Sequence, residues 1–194
     1  CRLNIKPLTL NLSYRCSQKI ADFANLIIQH KYRVTGGCID KIETPFIEAC
    51  PNILGNNEWF KTTPEQSNVL QAQTFPATWA IINFSDDTFT HPIVFTPSEC
   101  KGLEFETIIL WKPFENMSKQ FSAAIKNSNK NEGFSIYRPK ASKADSTFLN
   151  DFNALITAVT RAQHRLIIVD SSQVEKNSFI NQLHESCATI QIIY

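Results

Sequence analysis

The stretch Thr96-Pro97-Ser98-Glu99-Cys100-Lys101-Gly102-Leu103-Glu104-Phe105 constrains the chain most, because apolar, strand-forming runs stand on both sides of it. Ile93, Val94 and Phe95 precede it, and residues 107–111 form a β-branched and aromatic run after it. The pattern reads as strand, polar loop, strand. Gly102 lets the backbone take φ > 0 or come close to a ligand. Lys101 and Glu104 put opposite charges at the mouth of buried strands, where open parallel sheets tend to bind ligands. The same loop also reads as an ordinary strand connection.

The other elements follow from periodicity. Residues 8–12 alternate apolar and polar, as a half-buried strand does. Ser17 is a candidate N-cap. Ile20, Phe23, Ala24, Ile27 and Ile28 then recur at helical spacing, which predicts an amphipathic helix over 18–30 that ends near His30 and Lys31. Residues 31–75, interrupted by Pro45, Pro51, Gly55 and Pro64, are the least legible. They suggest an edge strand over 38–42 and a helix from Thr63-Pro64 to Ala72, with proline at its first position. Strands are expected over 79–84 and 91–96, with a turn at 85–87 between them, and again over 107–112. A helix over 147–162, with Phe148, Phe152, Leu155, Ile156 and Val159 on one face, leads into a strand over 165–170. A helix over 175–185 and a strand over 189–193 close the chain. These elements predict an α/β fold of three layers, α/β/α, with a mostly parallel sheet and helices on both faces.

Between about 115 and 146 the chain is rich in Asn, Ser and Lys, and it reads as an insertion with a short helix over 118–127. Its basic residues, Lys119, Lys126, Lys130, Arg138, Lys140 and Lys143, suit either a solvated loop or a flap near nucleic acid. Phe121, Phe134 and Tyr137 would stack on bases in the second case and anchor a core in the first.

Size and charge set further bounds. At 194 residues and 22.1 kDa the chain is one domain or one lobe of a larger protein, and its 43% hydrophobic content suffices for a core. A net charge of +1 exerts no global pull on nucleic acid, so any such binding must be local. No apolar run approaches the length of a membrane span. The start at Cys1, without a methionine or an apolar leader, reads as a cut from a longer chain. Cysteines 1, 16, 38, 50, 100 and 187 form no Cys-x-x-Cys pair and match no zinc spacing, so no metal site is expected. Free thiols in an intracellular compartment, cytoplasmic or nuclear, a bacterial effector included, are expected in preference to a disulfide framework.

Three motifs carry a resemblance. Lys101-Gly102-Leu103-Glu104-Phe105, followed by Glu106 and a strand, resembles motif V of superfamily 1 helicases of the UvrD/Rep kind. Ser13-Tyr14-Arg15, on a strand-to-helix turn before a helix bearing Ala24-Asn25, resembles motif IV, usually Asn-Tyr-Arg-Ser, with Ser13 and Cys16 departing. Ala158-Val159-Thr160-Arg161-Ala162 before a strand resembles motif VI, usually Tyr-Val-Ala-x-Thr-Arg-Ala-Lys, with Ile156, Thr157 and Gln163 departing. The order is the family's.

The resemblance implies roles. Arg15 and Arg161 are expected at the γ-phosphate, where an always-charged planar fork stabilises the spreading charge of phosphoryl transfer. Tyr14 is expected to stack on the adenine and Glu104 to contact the ribose, with Gly102 allowing the close approach. Thr96 and Ser98 match positions that touch the single strand, although the family often has His in place of Ser98. The sequence has no Gly-x-x-x-x-Gly-Lys-Thr/Ser loop, no Asp-Glu pair ending a strand and no Gly-Asp-x-x-Gln sensor. In the family those belong to the first RecA-like lobe, which would hold ATP and Mg²⁺. The chain therefore resembles the second RecA-like lobe alone, without the large mobile insertion that UvrD and Rep carry between motifs IV and V. The implied partners are a first lobe in the parent chain and single-stranded nucleic acid, DNA in preference to RNA, with no membrane. The fragment alone is not expected to hydrolyse ATP. The rival expectations are a helicase-derived binding or scaffold module that no longer does chemistry, and a stand-alone nucleotide-binding domain, which the missing phosphate loop disfavours.

Overall fold

In a computed structural model of the chain, the described residues are 12–13, 15–35, 47–49, 52–115, 143–171 and 178–189. The expected strand over 38–42, the helix over 118–127 and most of the basic insertion lie outside them, as does Tyr14.

The elements in order are β1 (Leu12–Ser13), α1 (Gln18–Thr35), β2 (Glu48–Ala49), β3 (Asn56–Thr62), α2 (Pro64–Gln71), β4 (Trp79–Asn83), β5 (Val94–Phe95), β6 (Phe105–Trp111), α3 (Lys143–Val159), β7 (Ala162–Ser171), α4 (Ser178–Glu185) and β8 (Ala188–Thr189). β1 and β2 form a separate parallel pair. The other six strands make one sheet in the order β5-β4-β6-β7-β3-β8, parallel throughout.

Successive side chains of a strand point to opposite faces, and the sheet accordingly has two cores. Trp59, Ala80, Ile82, Ile108, Leu110, Leu166 and Ile168 face α1, α3 and α4, whose Phe23, Phe152 and Phe179 are buried with them. Phe60, Ile81, Ile109, Ile167 and Val169 face the other way, toward Leu70 of α2. The fold is α/β with a parallel sheet between helices, as a RecA-like architecture requires.

Several boundaries differ from expectation. Helix α1 runs to Thr35, past His30. His30 is not a terminal charge: it is buried and stacked on Phe179 of α4 at 4.1 Å between ring centroids. The expected strand over 91–96 shrinks to two residues, and β7 starts at Ala162 because Phe105 and Ala162 already pair there. Strand β3 was not expected at all. Its Asn-Asn-Glu-Trp-Phe-Lys-Thr carries no apolar alternation, yet it lies between β7 and β8 with Asn57, Glu58 and Thr62 buried. Partners replace hydrophobicity there. Asn57 Nδ2 donates to the Lys19 carbonyl at 2.6 Å, and the Arg165 fork donates to Glu58 at 3.0 and 2.6 Å.

Helix α2 begins as its sequence suggested. Thr63 and Gln66 form a reciprocal capping box, and Pro64 stands in the first turn.

Candidate functional site

The motif loop runs from one edge of the sheet to the other. Thr96 follows the carboxyl end of β5, whereas Glu104 immediately precedes β6. Glu104 therefore stands at the amino edge of the sheet, not at the carboxyl mouth where its charge was expected. Arg161, immediately before β7, is at the same edge.

Arg15, Glu104, Arg161 and Gln163 converge there from three distant segments. Arg15 Nε pairs with Glu104 Oε1 at 2.9 Å, with side chains 59% and 32% exposed. Gln163 Nε2 donates to the other carboxylate oxygen at 3.4 Å. Arg161 Nε donates to the Thr157 carbonyl at 3.1 Å, Nη1 to the Leu103 carbonyl at 3.3 Å and Nη2 to Thr160 Oγ1 at 3.2 Å. The Phe105 amide in turn donates to the Arg161 carbonyl at 3.0 Å. Arg161 thus ties the end of the motif loop to the turn between α3 and β7.

Local backbone chemistry shapes the loop. Gly102 has φ +81°, and a Cβ there would meet nothing within 4 Å. The glycine serves the left-handed turn rather than a close approach by neighbouring protein atoms. Cys100 is buried and its thiol donates to the Pro97 carbonyl at 3.2 Å. Burial pushes this thiol up, and the nearby charges of Arg161 and Lys101 only partly offset that. Lys101 itself is exposed.

Thr96 and Ser98 are at the opposite edge. Thr96 donates to Glu99 Oε2 through both its amide and its hydroxyl, each at 2.8 Å. With that proton committed, the Ser98 hydroxyl donates to Thr96 Oγ1 at 3.0 Å. The same two Thr96 donors, amide first, hold the Glu99 carboxyl below its ordinary range. These two hydroxyls and Arg161 therefore lie at opposite ends of one connected loop.

Two features of the amino edge escaped sequence reasoning. Gly55 has no room for a side chain: a Cβ would lie 2.3 Å from the His164 carbonyl oxygen and 2.4 Å from Ser17 Oγ. The Ser17 amide donates to the Gln163 carbonyl at 3.0 Å, and the His164 ring bonds the Leu54 carbonyl through Nδ1 at 3.0 Å. The start of α1 is thereby stitched to the start of β7, which brings Arg15 beside Glu104. Gln163, readable only as a departure from the motif, supplies the second clamp on Glu104.

Among the described residues no group of acidic, histidine and cysteine side chains is placed to hold a metal ion, and no helix is long and apolar enough to cross a membrane. Cys100 and Cys187 are free thiols.

No family model matches the chain, and no curated protein matches it. Among solved structures it is similar to the C-terminal domain of a possible DNA helicase from Lactobacillus plantarum WCFS1, with 16% identity and a TM-score of 0.44 over 92% of this chain and 99% of that one.

Proposed function

We propose that the chain is the second motor lobe of an ATP-dependent helicase or single-strand translocase of the UvrD/Rep kind, acting on DNA in preference to RNA. The observation that carries this reading is the meeting of Arg15, Glu104 and Arg161, one from each of three motif-bearing segments, at one edge of the sheet.

The residues fit a triphosphate brought by a first lobe. Arg15 is largely exposed and held at the surface by an ion pair. A guanidinium has five N–H donors, and Arg161 commits one from each of its three nitrogens. Two remain for phosphate oxygens. Lobe closure would place both forks against the γ-phosphate, Tyr14 against the adenine and Glu104 near the ribose, beyond Gly102. Mg²⁺ would belong to the first lobe. Since Arg161 holds the Leu103 carbonyl, its movement onto phosphate would pull the loop that ends at Thr96 and Ser98, the proposed grip on the strand.

One observation favours the rival reading, a scaffold module without chemistry: every nitrogen of Arg161 is engaged within the lobe. Single-strand-stimulated ATP hydrolysis by the full-length parent protein separates the two. Arg15→Ala and Arg161→Ala should each lower turnover by about a thousandfold, the usual worth of such an arginine. Absence of turnover in a folded wild type would establish the scaffold instead.

A further inference from the structure

The α2 face of the sheet holds a cavity of about 350 Å³ that the motor reading does not use. We propose that it binds a neutral, flat aromatic molecule of about two fused rings that carries a carbonyl acceptor.

The walls set the shape. Phe75 stacks on Trp79 at 5.6 Å and 8°, and Phe89 meets Trp111 edge to face at 5.0 Å. All four line the cavity, with Gln73 and Arg165 as its polar members. Aromatic walls with few polar groups favour flat apolar ligands, and the volume falls at the small end of the range for ligand sites, about 300–1,000 Å³.

The walls are also fixed in advance. The Phe75 amide donates to His91 Nδ1 at 3.3 Å, so that nitrogen carries no proton, and Nε2–H donates to the Trp79 carbonyl at 3.2 Å. His91 is buried and clamps both rings of the stacked pair by their backbones. Trp111 is pinned by its indole N–H to Asp87 Oδ2 at 2.7 Å. A site built before the ligand arrives loses less free energy on binding.

Arg165 sets the ligand's charge. Its guanidinium carbon lies 5.2 Å from the centre of the Trp79 ring. Glu58 takes Nε–H and one N–H of Nη2 and neutralises the cation. Glu58 leaves the N–H groups of Nη1 uncommitted, and Arg165 lines the cavity. A neutral carbonyl can accept from them, whereas the Glu58–Arg165 pair has no net charge left to offset the desolvation of a full anion.

The test is titration of the 194-residue chain with Prodan, a neutral naphthyl ketone, following its emission shift and energy transfer from tryptophan. Saturable binding of one molecule per chain is expected. Val169→Phe, which fills the cavity, should weaken it about tenfold or more, equivalent to about 1.4 kcal/mol. Phe75→Ala, a change at a half-buried loop residue, should weaken it severalfold and serves if the first variant misfolds. The sulfonated anion 1-anilinonaphthalene-8-sulfonate should bind at least about tenfold more weakly than Prodan. Unsaturable binding, indifference to substitutions that leave the fold intact, or equal affinity for the anion would each overturn the proposal. None of these outcomes depends on ATP hydrolysis.

Discussion

Two glycines show how one residue type answers two different demands. At Gly102 the demand is conformational: φ is +81° with open space around the missing Cβ, so Gly102→Ala should cost about 1–2 kcal/mol, the penalty of a left-handed L-residue. At Gly55 the demand is steric, with the His164 backbone oxygen only 2.3 Å from a built Cβ, so Gly55→Ala must displace backbone and should cost about 3 kcal/mol or more. Denaturant midpoints of the two variants check the order. The first glycine was legible because it interrupts a motif between two strands. The second was not, because its neighbours Ser17 and His164 are far away in sequence. A titration belongs to this scale as well. Burial pushes the Cys187 thiol up to about 12 from an ordinary 9.0, against a smaller opposing effect of Ser186. The unfolded chain therefore releases this proton first as pH rises. The contribution is complete below about pH 9 and is lost between there and about pH 12. Unfolding midpoints across that range should fall more steeply for wild type than for Cys187→Ala.

At the scale of elements, strand β3 carries the largest departure from the sequence reading. Helix α1 and strands β4 and β6 were legible because their apolar residues recur at 3.6 or fill a continuous run. β3 was hidden because its place between β7 and β8 is stabilised by hydrogen bonds and by the Glu58–Arg165 pair, which appear only once the strands are side by side. The pair is asymmetric, with side chains 11% exposed for Glu58 and 37% for Arg165. Removing Glu58 leaves a guanidinium that can turn toward water, whereas removing Arg165 strands a buried carboxylate. Arg165→Ala should therefore cost about 3 kcal/mol and Glu58→Ala about 1 kcal/mol, both read from urea unfolding. The reverse order would mean that the fork, not the carboxylate, carries the burial cost. Loop 83–87 shows a related economy. Burial alone would raise the Asp87 carboxyl, but bonds from Lys112, Trp111 and Ser85 outweigh it and hold the group below its ordinary value. The turn itself was legible in Ser85-Asp86-Asp87, but the bonds that hold it were not.

At the scale of the whole molecule, three short motifs were legible as words, but that Glu104 joins Arg15 and Arg161 at the amino edge was not. The loop from Thr96 to Glu104 reads in sequence as one ligand-binding mouth. In the fold it spans the sheet, with its hydroxyls at the carboxyl edge and its carboxylate at the amino edge. That division suits a lobe whose nucleotide and nucleic-acid surfaces are distinct yet joined by one segment, which is what the motor proposal requires. Arg161 is an imperfect probe of that proposal, because its bonds to Thr157, Leu103 and Thr160 also hold the lobe together. Arg15 is the cleaner one: its ion pair with Glu104 is at the surface, where such pairs add little to stability. The measurement to make is single-strand-stimulated ATP turnover by the full-length parent protein, wild type beside Arg15→Ala, with the unfolding midpoint recorded on the same samples. The expected result is a loss of turnover of about a thousandfold at an almost unchanged midpoint. Turnover close to wild type in a folded Arg15→Ala protein would contradict the assignment of this edge to the phosphates.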